Sequence, residues 1–198
     1  MKKILILFAH PALQKSRINK ALIKGISNID GVTFHDLYQA YPEFDIDVHK
    51  EKQLLEEHQV VVFHHPLFWY STPAILKEWQ DLVLEHGWAY GSEGTALKDK
   101  LFFQVLTSGG RREAYSGEGY NRFKLRTLLA PIEQTANLCK MIYLPPFAIQ
   151  GTHSIKPEEV GRHREMYQLL LMSLRDEKLD LAKAKSLEYL NDYFDKGL

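Results

Sequence analysis

Cys139 is the only cysteine in the chain. One cysteine excludes an internal disulfide and a Cys-based metal cluster, and it is compatible with a reducing cytosol. An excess of either charge is also missing, since 25 Lys and Arg stand against 25 Asp and Glu. Such a balance gives no basic field for nucleic acid or anionic lipid. No apolar run approaches the roughly 18 residues that span a bilayer. The opening MKKILILFAHP begins like a signal peptide. Its apolar run is short, however, and ends in His10-Pro11 with no small-residue cleavage site, so it reads as a first strand. Several motifs are absent: G-x-x-x-x-G-K, G-x-G-x-x-G after the first strand, G-x-S-x-G, and H-E-x-x-H among the nine histidines. His64 and His65 alternate to opposite faces of a strand and do not readily share a metal. A phosphoacceptor switch needs carboxylates at the first and third strand ends. Those ends read Ala9-His10-Pro11 and His64-His65-Pro66.

What is present is an ordinary globular composition. The 198 residues are 45% apolar and 25% charged, which suits one domain, 1–198, with a substantial core. Residues 3–9 form a continuous apolar run, as in a strand buried on both faces. Ser16 or Asn19 can cap a helix to about Ile29, with Ile18, Leu22, Ile23 and Ile26 on one face. Further strands are expected over 32–37, 60–64 and 101–106. A fifth begins at 141–144 and is interrupted by Pro145-Pro146. Helices are expected over 49–57, from Pro73 to about His86, over 124–139 with a break at Pro131, and from Pro157 with breaks to about Phe194. Strands alternating with helices predict an α/β fold, a parallel sheet covered on both faces.

Three loops at strand ends carry the chemistry. Ligands of open parallel sheets sit outside the carboxyl ends of the strands. The first loop enters a helix, whose free amides and dipole favour a phosphate; His10, Ser16, Arg17 and Asn19 add polar groups. Taken alone, the same residues also describe a plain capped helix. The second loop carries Leu67, Phe68, Trp69 and Tyr70, a flat apolar wall suited to an isoalloxazine ring. A core cluster or a dimer contact is the other reading. In the third loop, Thr107, Ser108, Gly109 and Gly110 combine hydroxyls with a backbone a ligand can approach closely, though a plain turn has the same composition. The glycine-rich segment beyond holds Tyr115, whose hydroxyl could stabilise developing charge or simply anchor the loop. Tyr120 and Asn121 are similarly placed. A segment of this length in a compact domain is usually functional.

Together these residues resemble the flavodoxin-like NAD(P)H:quinone oxidoreductase family. Within it, the chain is similar to the small bacterial proteins that accompany glutathione-regulated potassium-efflux systems. The likeness runs through Ala9-His10-Pro11, Leu37-Tyr38-Gln39, the stretch 41–47, and His65 to Ser71. It continues through His86-Gly87-Trp88-Ala89-Tyr90-Gly91, Gly94 to Leu97, Thr107 to Gly110, and Leu144-Pro145-Pro146-Phe147. The resemblance implies five parallel strands in order 2-1-3-4-5 and a homodimer with sites at the interface, to which Trp69, Trp88 and Tyr90 could contribute. It implies FMN, in preference to FAD, cycling between NAD(P)H as co-substrate and a quinone. It also implies a cytoplasmic protein, with a potassium-efflux membrane protein as a possible partner at the inner membrane face. The family's flavin contacts map to His10, Ser16, Arg17, Ile18 and Asn19, to Leu67–Tyr70 and to Thr107–Gly110. Tyr115 matches a family tyrosine near the flavin edge. Asn121 stands where larger members have a histidine, so that proton-relay role has no counterpart. Arg111-Arg112-Glu113 is unusually charged for this loop, and it suggests either a contact to NAD(P)H phosphates or a solvated face.

Overall fold

The computed structural model describes residues 1–194; the end of the expected domain, to Leu198, lies outside the described residues. The elements run β1 (Ile4–Phe8), α1 (Arg17–Ile23), β2 (Val32–Asp36), α2 (Leu37–Ala40), α3 (Val48–Glu57), β3 (Val60–Pro66), α4 (Ala74–Val83) and β4 (Leu101–Thr107). They continue with α5 (Leu125–Leu128), α6 (Ala130–Leu138), β5 (Ile142–Tyr143), β6 (Phe147–Ile149), α7 (Pro157–Arg175) and α8 (Leu181–Ser186). The sheet order is β2-β1-β3-β4-β5, with β6 also paired to β4, and all pairings are parallel. This is the expected flavodoxin-like doubly wound sheet. The extra strand is the second half of the fifth. Leu144 separates β5 from Pro145-Pro146, and proline has no N–H to donate to a ladder.

Alternation along the strands builds a core on each face. Ile4, Ile6, Val60, Val62, Phe103 and Val105 pack with Ile18 and Leu22 of α1 and Tyr167, Leu170 and Leu174 of α7. Leu5, Leu7, Val61, Phe63 and Phe102 pack with Leu55 of α3, Ile75, Leu76 and Trp79 of α4, and Ala136 of α6. A third, smaller cluster joins Leu106, Tyr115, Leu125, Leu129, Ala148 and Tyr189 near the carboxyl end of β4.

The first helix is shorter than its apolar spacing suggests. It stops at Ile23 because Gly25 is left-handed at φ 83°, a conformation glycine adopts without steric cost. Ile26 still reaches the core, from a following 3-10 turn. The helix with Pro131 divides into α5 and α6, with Pro131 in the first turn of α6. No described helix is long and apolar enough to cross a membrane.

Glu51 organises the α3 side. It is fully buried and accepts from Tyr41 Oη at 2.5 Å and Trp79 Nε1 at 2.8 Å, with His35 Nε2 at 2.8 Å. Burial pushes this carboxyl up, but the hydrogen bonds from His35, Tyr41 and Trp79, with the His35 charge, outweigh it. The carboxyl is held below its ordinary range.

Candidate active site

The carboxyl ends of β1, β3 and β4 are staggered. Phe8, the last residue of β1, pairs with His64, while His65 and Pro66 run on beside Leu106 and Thr107 of β4. The loop after β1 therefore faces the projecting ends of β3 and β4 across a step. Two cavities that share Leu67 lie there. One, about 550 Å³, is lined by His10, Ser16, Arg17, Ile18, Asn19, Leu67, Phe68, Thr107, Ser108 and Gly109, and by Ala12, Lys15, Pro66, Thr152 and His153. The other, about 290 Å³, is lined by Leu67, Trp69, Tyr70, Gly110, Ala114, Tyr115, Tyr120 and Asn121. Every site residue expected from the sequence lines one cavity or the other.

The first loop is both a cap and a wall. Ser16 Oγ caps α1 by accepting from Asn19 N at 3.2 Å, and it also accepts from Asn19 Nδ2 at 3.0 Å. Asn19 Nδ2 donates onward to Thr107 Oγ1 at 3.1 Å, which ties the first loop to the third. With the amide oriented this way, Asn19 Oδ1 is buried without a hydrogen-bond partner. Arg17 donates from Nη2 to Ile155 O at 2.9 Å. His10 Nδ1 accepts from Ala12 N at 3.1 Å, which leaves Nε2 to carry the proton. Burial lowers the His10 pKa, so the ring is neutral at neutral pH.

The second loop is a strained turn. Phe68 and Ser71 exchange backbone hydrogen bonds at 3.1 and 2.9 Å, while Trp69 and Tyr70 sit at φ 48° and 64°. Two consecutive positive φ values define the turn class that usually takes Asn-Gly. Two aromatics held there carry strain of about 1–3 kcal/mol each. Trp69 is 94% exposed, and Phe68, Tyr70, Tyr120 and Phe123 are exposed as well. Tyr70 Oη donates to Asn121 Oδ1 at 3.2 Å. Trp88 and Tyr90 behave differently. Both are partly buried against the α3–α4 core, and Trp88 donates to Glu56 at 3.0 Å.

The third loop requires its glycines for space. A Cβ on Gly109 would come within 2.6 Å of the His153 ring, and one on Gly110 within 3.1 Å of the Tyr115 ring. Ser108 N donates to Ile149 O, Thr152 N to Ser108 O, and Gly151 N to Gly110 O. Thr152 and His153 thus join the site from the loop after β6. Sequence reading missed them because nothing marks that loop except its place at a strand end. Beneath the cleft, His64 is fully buried with neither ring nitrogen partnered. Burial, with repulsion from His65 and His10 once acid protonates them, pushes its pKa down to about 3.

Arg112 lies on an exposed face of the loop, as one of the two expectations had it, and is also held by specific partners there. It donates from Nη1 and Nη2 to the two oxygens of Asp192, both at 2.9 Å, and its guanidinium lies 4.3 Å from the Tyr189 ring centroid. Arg111 donates to Ser154 Oγ at 3.0 Å. A larger cavity of about 890 Å³ opens beside them, lined by none of the residues of the three strand-end loops themselves. Its Arg111, Arg112, Lys156 and Arg162 are offset by Glu113, Glu159, Glu165 and Asp192, so its charge selects neither sign. Among the described residues no cluster of His, Cys, Asp or Glu could hold a metal ion.

Comparison with known proteins agrees with this geometry. A family model described as a flavodoxin-like fold matches residues 2–171. The glutathione-regulated potassium-efflux system ancillary protein KefG of Yersinia enterocolitica is 45% identical over 171 residues, 86% of this chain and 93% of that protein. Among solved structures, general stress protein 14 of Treponema denticola, in complex with FMN, is 36% identical. It covers 87% of this chain and 99% of its own, with a TM-score of 0.83. An NADPH-quinone reductase from P. pentosaceus is 32% identical over 85% of this chain and 96% of its own, with a TM-score of 0.78. The chain therefore belongs to the flavodoxin-like fold family, where its relatives include potassium-efflux ancillary proteins and an NADPH-quinone reductase.

Proposed function

We propose that the protein is an FMN-dependent NAD(P)H:quinone oxidoreductase working by two-electron ping-pong, with residues 1–198 acting as one domain. The observation that carries this reading is the convergence of three strand-end loops, one of them a strained aromatic turn, on two adjoining cavities that share Leu67. The donor set fits the cofactor from end to end. The amino terminus of α1 with Ser16, Arg17 and Lys15 suits the phosphate. The unsatisfied Asn19 Oδ1 is an acceptor and suits a ribityl hydroxyl. Ile18 and His10 border that end. Leu67, Phe68, Trp69 and Tyr70 would cover the ring, and Thr107, Ser108, Gly109 and Gly110 would present hydroxyls and backbone to its edge. When bound, the flavin supplies the hydride chemistry. The chain's own part is to orient, to exclude water and to stabilise charge. Tyr115 Oη would donate toward an acceptor oxygen as negative charge develops there. The exposed aromatics Phe68, Trp69 and Tyr120, which line the two cavities, offer apolar area suited to a homodimer contact over the cleft.

A second role is compatible with the first. The likeness to KefG supports docking, from the cytoplasmic face, on a glutathione-regulated potassium-efflux membrane protein. The test of the enzymatic reading is quinone-stimulated NAD(P)H oxidation by the FMN-loaded protein. Gly109→Val, which pushes into the His153 ring, is expected to abolish it. Full activity in that variant would remove the third loop from the site. Failure to co-purify with any potassium-efflux protein would remove the second role and leave the first.

A further inference from the structure

The segment after α8 lies outside the family match, which ends at residue 171, yet it packs against the loop that carries Tyr115. Tyr189 is buried in the same apolar cluster as Tyr115. Leu190 N donates to Pro146 O at 2.9 Å, and Asn191 Oδ1 accepts from Ala148 N at 2.8 Å, satisfying an amide of β6. Asp192 then holds Arg112 through the two bonds described above. Arg112 and Tyr115 are the first and last residues of one 3-10 helix. In that geometry side chains three apart share a face. The bidentate clamp on Arg112 therefore fixes the rotation of the turn that presents Tyr115.

We infer that residues 188–192 are a positioning strap for the loop 111–121, with Asp192 and Tyr189 setting Tyr115 through Arg112. The charged Arg111-Arg112-Glu113 insert is one half of this latch, and Tyr189-Leu190-Asn191-Asp192 is the other. The strap's effect on the acceptor rests on the quinone reductase reading; its effect on the loop does not. Arg112 and Asp192 are both partly exposed, so replacing either leaves the core intact.

The test compares wild type with Asp192→Asn, Arg112→Lys and the neighbouring Glu188→Gln. It reads hydrogen exchange of the amides of 111–121 in the protein as purified, the FMN dissociation constant, and the KM for a quinone. Asp192→Asn is expected to speed loop exchange about tenfold, as loss of a charge-assisted bidentate pair implies. It should raise the quinone KM about three- to tenfold by the same argument, and leave FMN affinity within about twofold, because the phosphate end is separate. Arg112→Lys keeps the charge but loses the planar fork, so it should fall between the two. Glu188 lies 3.8 Å from Arg112 Nη2, a looser contact than Asp192 makes, so Glu188→Gln should speed exchange less than Asp192→Asn does. Unchanged loop exchange in Asp192→Asn would overturn the strap. Faster exchange with an unchanged quinone KM would overturn its role toward the acceptor. Faster exchange in a protein that binds no FMN would support the strap as a loop anchor while removing the enzymatic reading.

Discussion

The Glu51 centre and the cleft at the carboxyl ends of the strands handle buried polarity in opposite ways. Around Glu51, side chains from β2, α4 and the segment after α2 converge on one carboxylate, so His35, Tyr41 and Trp79 all find their partner. At the carboxyl ends of β1 and β3, around and beneath the cleft, Asn19 Oδ1 and both ring nitrogens of His64 have no hydrogen-bond partner. Two aromatics there hold left-handed backbone. The first region is satisfied and closed. The second keeps unmet polar groups and strain, which is where a binding site is expected to differ from a merely stable fold.

That contrast can be broken by mutation and by pH. The largest effect belongs to Glu51→Ala, which leaves two buried donors, Tyr41 and Trp79, and the partly buried His35 without their shared partner. It is expected to cost about 3–5 kcal/mol in denaturant unfolding, with FMN affinity of the folded fraction unchanged. A loss under about 1 kcal/mol would remove Glu51 as the organising group.

Acid separates the regions next. Burial lowers the pKa of His64 to about 3 and lowers that of His10, His58 and His65 as well. Below the ordinary pKa of about 6.5 the unfolded chain binds protons that the folded chain refuses. Stability therefore falls as pH drops from there toward 3. The Glu51 pKa is lowered too, but for a carboxylate the sign places the loss later. Its contribution is present above the unfolded value and disappears only as pH falls through the folded one. Unfolding curves at stepped pH should thus show a first decline below about 6.5. His64→Phe is expected to flatten that decline by about 1.4 kcal/mol per pH unit. An identical slope in the variant would contradict a buried, neutral His64.

The smallest stability effect has the opposite sign. Trp69→Asn with Tyr70→Gly installs residues that accept positive φ. The pair should stabilise the fold by about 1–2 kcal/mol while lowering quinone kcat/KM about tenfold or more. Stabilisation without loss of activity would make the aromatic turn a surface feature only.

Much of the fold was legible because the buried parallel strands read as apolar runs. Ile4–Phe8, Val60–Pro66 and Leu101–Thr107 are such runs, and Pro145-Pro146 announces where the fifth strand divides. The end of α1 was not legible, because the apolar spacing continues through Ile26 although Gly25 has already broken the helix. The three loops were legible from their residue types at strand ends. Thr152 and His153 were not, since their residue types are unremarkable. The partner of Arg112 could not be read at all, because Asp192 lies 80 residues away and only the fold brings them together.

The central claim is that the cleft binds FMN as a working redox cofactor. The most direct measurement is the visible absorption spectrum of the purified protein, before and after adding FMN and desalting. Flavin bands that persist, shift from the free-flavin position and bleach on addition of NAD(P)H are the predicted result. No retained flavin, together with no change in spectrum or thermal stability on adding FMN, would contradict it and leave a cofactor-free ancillary protein on a flavodoxin-like scaffold.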